Sequence, residues 1–446
     1  MDNVTPPKSE LHRSIWSFTW PMMLSNLSTP LLGLVDTAIL GHLGDPSYLA
    51  AVGVGSGLIT LLYWAFSFLR MGTTGLTAQA YGAANPDLAA HILLRSLCMA
   101  LTIGLLISSV GQWLLPIGAA IVGEKPEIVG LASDYGAIRL YSAPAALMTY
   151  AIVGWLLGQQ QPKLPLIIMV ITNLANVALD YLFILHFDMK SDGAALASVC
   201  AEYLGLSIAL GCLLLVHRRV FAQWRDAALD KWSSYQQILR VNGHLFLRTI
   251  TLMLCLLFFT AQGARQGEEM LAANTILMNL LLAMAYGLDG IANAAEALVG
   301  QSVGRRRQKE FYRVCLGCTQ WAAVLALGFA LVFALGKPLI TSLFTNISTV
   351  EELVGIYYNW LVLLPLVAVW CYLLDGIFIG SGHTRAMRDT MLIASIFVYL
   401  PIWYFTQSLG NHGLWLAFLS WKLARGVGLA VIFWHNSRCH KWWPAT

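Results

Sequence analysis

HRRVFAQWRDAALDKWSSYQQILR (217–240) is the longest polar stretch in the chain and carries five basic residues. On both sides of it the sequence turns apolar. Of the 446 residues, 58% are hydrophobic and 11% charged, against roughly a quarter charged in a soluble domain. So few charges leave most of the surface unable to face water, and the alternative solvent is lipid. A helix needs about 20 apolar residues to cross it. Runs broken by Gly, Pro and charge clusters predict spans near 14–41, 47–81, 89–121, 128–157, 163–186 and 193–216. After the polar stretch, spans are predicted near 236–262, 270–302, 310–335, 351–380, 387–408 and 412–434. The expected class is an all-α membrane protein with twelve transmembrane helices in two six-helix bundles. Its domains would be an N-lobe (1–216), a linker (217–235), a C-lobe (236–434) and a tail (435–446). The polar start, Met1 to Glu10, and the length of the first apolar run argue for a span rather than a cleavable signal.

Basic residues orient the spans, because positively charged loops stay on the cytoplasmic side. With the N-terminus inside, inner segments hold seventeen Lys and Arg, including Arg218, Arg219, Arg305, Arg306, Arg307 and Arg438. The outer loops hold four: Lys125, Lys190, Arg265 and Lys337. Both termini are therefore expected in the cytoplasm. The eight cysteines sit mostly in apolar runs. Cys315 and Cys318 have CxxC spacing but no second pair or His to complete a zinc site, so they read as small buried hydrophobes.

A shift of 222 residues aligns Leu49-Ala50-Ala51 with Leu271-Ala272-Ala273, Gln79 with Gln301, Gly154 with Gly376 and Gly158 with Gly380. A shift of 220 aligns Gly193 with Gly413. Six spans per copy is an even number, so both copies enter from the same side and form a parallel repeat about an axis along the membrane normal. That is the architecture of an alternating-access transporter.

An acidic side chain at the bilayer centre costs roughly 2.5–3.5 kcal/mol on insertion scales. Asp36 on the first helix and Asp180 on the fifth each lie about six residues below the outer end, about 9 Å deep at 1.5 Å per residue. Ser198 on the sixth helix and Tyr135 on the fourth reach a similar depth. Asn173, Asn176 and Asp180 share one face by their i, i+3, i+7 spacing. Two carboxylates close together in low dielectric do not both ionise cheaply, so the pair would hold a proton in response to the outside pH. The alternative is a static hydrogen-bonded network that holds helices together. Pro21, fifteen residues before Asp36, removes a backbone bond, and protonation at Asp36 would change the bend there; the other reading is a fixed kink. Asp289, Glu296 and Asp375 in the second half have Arg248, Lys422 and Arg425 as candidate partners, and paired bundling is the preferred reading. Asn173, Glu202, Met278, Met284 and Tyr372 are candidates for a substrate cavity, since Met and aromatic surfaces suit promiscuous binding.

The chain resembles the multidrug and toxic compound extrusion (MATE) transporters, and within them the DinF-like subfamily. The resemblance is carried by PLLGLVDTAILGHLG (30–44), LRMGTTGLTAQAYGAANP (69–86), GWLLGQQQPKLPL (154–166) and NLANVALDYLFI (173–184). Further stretches are DGAALASVCAEY (192–203), YGLDGIANAAEALVGQSVG (286–304) and VWCYLLDGIFIGSG (369–382). It implies a V-shaped twelve-helix fold that exports amphipathic, cationic drugs in exchange for H⁺ or Na⁺ across the bacterial inner membrane, as a monomer, with no cofactor, metal or nucleic acid. It matches Asp36, Asp180, Asn176, Tyr135 and Ser198 to the coupling site, and Pro21 to the bend. The Na⁺-driven NorM-type branch pairs an acidic residue on the tenth helix with a Glu on the seventh. Here Asp375 is present and the Glu is absent, which favours protons and leaves Na⁺ at Asp36 open. Two other classes are weighed. A lipid-linked oligosaccharide flippase would want a strongly cationic cavity, whereas Arg70, Arg95 and Arg139 are balanced by Asp36, Asp180 and Glu202. An intramembrane enzyme would want an HExxH or GxSxG motif, and neither occurs.

Overall fold

The computed structural model describes residues 8–41, 46–122, 126–216, 232–344 and 347–443. The first six spans are Lys8–Gly41; Pro46–Ala65 with Phe68–Gly82; Pro86–Val122; Pro126–Leu140 with Ala143–Gly158; Lys163–Asp180 continuing as Tyr181–His186; and Lys190–Val216. The second six are Trp232–Ala264, Glu268–Gly304, Gln308–Phe344, Ser348–Gly380, Thr384–Phe405 and Asn411–Arg438. Ten are long and apolar enough to cross a membrane, and the fourth, whose two pieces meet at 51°, makes eleven. Helix Lys8–Gly41 completes the expected twelve. Helices are the solution lipid permits an open chain, because every backbone N–H and C=O must be satisfied internally. Pro46, Pro86 and Pro126 each start a helix, where the missing N–H costs nothing.

One difference from the predicted spans lies in the ninth helix, expected to stop at 335. It continues through Pro338 to Phe344. Lys337 does not end it, because its ammonium donates to the Gly355 carbonyl at 2.9 Å and lies over the Tyr358 ring.

The chain forms two compact units: Leu27–Asn242, and Gly243–Thr446 together with Met1–Asn26. This differs from lobes running 1–216 and 236–434. The first half of the first span packs with the eighth and ninth: Thr19 and Met23 lie against Gly290, where a Cβ would collide with both. Asn26 donates to the Tyr286 carbonyl at 3.3 Å, and Trp321 donates to His12 at 3.1 Å. The start of the seventh span belongs with the first half of the chain. Ile238 is buried among Leu76, Ala80, Ala89 and Ile92, and Arg95 lies 6.0 Å from the Tyr235 ring. Apolar and polar contacts here override chain order. Of the expected linker 217–235, residues 217–231 lie outside the described residues.

The repeat reappears as matching contacts in the two units. In one, Gly154 of the fourth span lies against the backbone of Arg70; in the other, Gly376 lies against Ala292. Gly158 approaches the Ala78 amide, and Gly380 approaches that of Gly300. In each case both members of the second pair lie 222 residues beyond those of the first. A side chain at any of these glycines would push two helices apart. Outward faces match too: Trp113 and Leu335, again 222 apart, are each 81% exposed, as suits side chains whose solvent is hydrocarbon.

Candidate functional site

The first-half site is built on the fifth span. Asn176 and Asp180, one turn apart, are both buried, and Asp180 is 1% exposed. The Asn176 amide donates to the Ser198 hydroxyl of the sixth span at 3.4 Å. Asn173, half-buried on the same helix, donates to Ser28 of the first span at 3.0 Å. Tyr135 is buried with Ile184, Ala194 and Ala195, and Ile39 packs on that cluster. Ile184 lies one turn beyond Asp180, Ala194 and Ala195 about one turn before Ser198, and Ile39 three residues after Asp36. Of the expected set, Asn176 and Ser198 are directly bonded, and Tyr135 packs with helical neighbours of the others. Asp36 is on the helical first span, but its side chain lies outside the described residues.

Immediately after Asp180 the helix widens into a single π turn, Tyr181–His186, in which the Phe187 N–H donates to the Leu182 carbonyl five residues back at 3.1 Å. Such turns insert one extra residue and concentrate at functional sites. Sequence reading missed it, since YLFILH carries no Gly or Pro to mark the change.

A second polar cluster occupies the break in the fourth span at Tyr141–Ser142. A broken helix leaves carbonyls short of their usual donors, and four here take a side-chain donor. Tyr63 and Ser142 hydroxyls donate to the Arg139 carbonyl at 3.1 and 2.8 Å, Ser108 to that of Leu140 at 2.7 Å, and Gln112 to that of Ala137 at 2.9 Å. Tyr203 donates to the carbonyl of Tyr141 at 3.1 Å. The Arg139 guanidinium donates to Ser142 at 2.7 Å and to Glu202 at 2.9 Å. Glu202, a cavity candidate, is therefore an ion-pair partner in this arrangement. The sequence held a signal for the break in Ser142-Ala143-Pro144.

In the second half, Asp375 accepts from both Arg248 and Arg425 through one carboxylate oxygen, and the Arg425 bond is 2.8 Å. The Lys422 ammonium is within 3.3 Å of the Tyr372 hydroxyl and lies over the rings of Tyr372, Phe418 and Trp421. The paired reading fits Asp375, Arg248 and Arg425, whereas Lys422 bonds a tyrosine rather than an acid. A carboxylate already clamped by two guanidinium groups has little capacity left for a metal cation. Of the proposed cavity residues, Met284 is fully buried and Met278 and Tyr372 partly. Cys315 and Cys318 are buried, as expected.

A duplicated bundle of twelve membrane spans, with carboxylates held deep inside it, defines a transporter rather than an enzyme. The MatE family model matches residues 21–182 and 245–405, one copy in each half. The chain belongs to the MatE family of multidrug and toxic compound extrusion transporters. It is 39% identical over 437 residues to the DNA damage-inducible protein F of Escherichia coli K12, covering 97% of this chain and 94% of the relative. It is 24% identical to a probable multidrug resistance protein NorM of Thermotoga maritima, covering 97% and 94%. A solved structure of MATE in the bent conformation shares the fold at a TM-score of 0.85 and 21% identity, covering 98% of this chain and 99% of that one.

Proposed function

We propose that the protein exports amphipathic, cationic drugs in exchange for protons, with Asp36 and Asp180 as the proton-carrying pair. The observation that carries this reading is Asp180, buried on one face with Asn176, whose amide donates to Ser198. A carboxylate in that position exchanges charge for neutrality at low energetic cost, and a proton from outside does so. Protonation at Asp36 changes the bend at Pro21 and releases the drug outward. Pro21 lies five residues before the point where the first span passes from one compact unit to the other, which suits a hinge. Both termini face the cytoplasm of a bacterial inner membrane, on the strength of the seventeen-to-four distribution of basic residues. The protein acts as a monomer with no cofactor beyond the coupling ion.

Proteoliposomes loaded with ethidium test this. An imposed pH gradient, acid on the extravesicular face of the transporter, drives flux in wild type; Asp36→Asn and Asp180→Asn each lower it about tenfold or more. Flux driven by a sodium gradient alone transfers the reading to Na⁺ at the same residues. Absence of drug flux under either gradient favours the flippase class.

A further inference from the structure

We propose that the crevice between the ninth, tenth and twelfth spans holds an acyl chain of an anionic glycerophospholipid, with the phosphate met by Arg313 and Arg438. The crevice has a volume of about 420 Å³. Its floor includes Cys315 and Ile377, both buried, and its rim includes Leu316, Trp370 and Val427, all exposed. No acidic side chain lines it, and its Thr319 hydroxyl is already bonded to the Cys315 carbonyl at 2.8 Å. A cationic drug would find no counter-charge there, whereas a hydrocarbon chain needs none. Lining residues run from Tyr312 to Thr319 on the ninth span, roughly 10 Å of helix rise. That depth is one leaflet, not the whole bilayer.

The crevice ends at the membrane face carrying the 304–308 turn and the end of the twelfth span. Tyr312 and Phe433 line that end; Arg313 follows the first in sequence, and Arg438 lies five residues past the second. The Arg438 guanidinium lies 3.7 Å from the Trp434 ring centroid. Stacked on an exposed indole at the level where tryptophans favour the headgroups, it is held in place. Nearby, Arg305 and Arg307 are taken by Glu310 at 2.8 and 3.7 Å. Arg313 and Arg438 are exposed and make no ion pair among the described residues. The apolar slot and the two cations together match one amphiphile, a phospholipid with net negative charge.

The full-length protein in nanodiscs, with phosphatidylglycerol or phosphatidylcholine bearing a diazirine on one acyl chain, tests this by photolabelling and peptide mapping. Label from phosphatidylglycerol should concentrate on 312–319 and 423–433, with about a fivefold preference over phosphatidylcholine per contributing arginine. Arg313→Ala with Arg438→Ala should remove the headgroup preference, and Val427→Trp should deplete label in the crevice while leaving it elsewhere. Equal label along the exposed Leu327, Leu331 and Leu335 of the same helix would mean an ordinary lipid shell and overturn the proposal. So would equal labelling by the two lipids, or label displaced by ethidium, which would mark the crevice as a drug site.

Discussion

Asp375 and Asp180 are both buried carboxylates in a membrane bundle, one in each half, yet their surroundings differ. Asp375 carries two arginines on one oxygen. Asp180 shares its face with an amide that donates to a hydroxyl, and a π turn follows it. A buried carboxylate bonded to two guanidinium groups from two other helices serves as a fastener. Asp180 is the acid we propose to carry a proton together with Asp36. The two halves share the same glycine contacts, and we propose different tasks for their acids.

The largest test of this contrast is Asp375→Asn, which leaves Arg248 and Arg425 buried without their counter-charge. It should cost about 3–5 kcal/mol, seen as a large fall in melting temperature and loss of monodisperse protein in detergent. Retained stability would remove the fastener role. Next come Gly154→Ala and Gly376→Ala, expected to destabilise by about 1–3 kcal/mol each through overpacking. Their melting temperatures should fall together; a cost confined to one half would break the equivalence of the scaffolds. Asp180→Asn should leave melting nearly unchanged while lowering pH-driven drug flux about tenfold or more, equivalent to some 1.4 kcal/mol on the rate. If it unfolds the protein instead, the two acids are alike after all. The smallest effect is expected from Pro21→Ala: about a twofold to threefold slower exchange, under 1 kcal/mol, with melting unaffected. An unaltered rate would argue for a fixed kink.

The spans were legible because lipid reduces the choice of structure to helix length and polarity. The repeat was legible through Gly154, Gly158, Gly376 and Gly380, since close backbone approach tolerates no substitute. Three features escaped. The partition of the first and seventh spans depends on contacts such as Thr19 with Gly290, between residues far apart in sequence that no local pattern links. The π turn after Asp180 changes hydrogen-bond register without changing composition. Lys337 and Pro338 looked like a helix end, but a carbonyl on a neighbouring helix gave the ammonium a partner. Of the first-half site, the shared burial of Asn176 and Asp180 was readable from spacing, and the capture of Glu202 by Arg139 was not.

The placement of Thr19 and Met23 against Gly290 also bears on synthesis. The first span leaves the ribosome long before the eighth and ninth exist, so its leading half has no final partner when it enters the bilayer. At roughly 5–20 residues per second, that wait lasts on the order of fifteen seconds to a minute. Through that interval the nascent helix depends on the insertion machinery or lipid alone. A gene cut within 217–231 should therefore yield two fragments that need each other's presence to mature, not two self-sufficient halves.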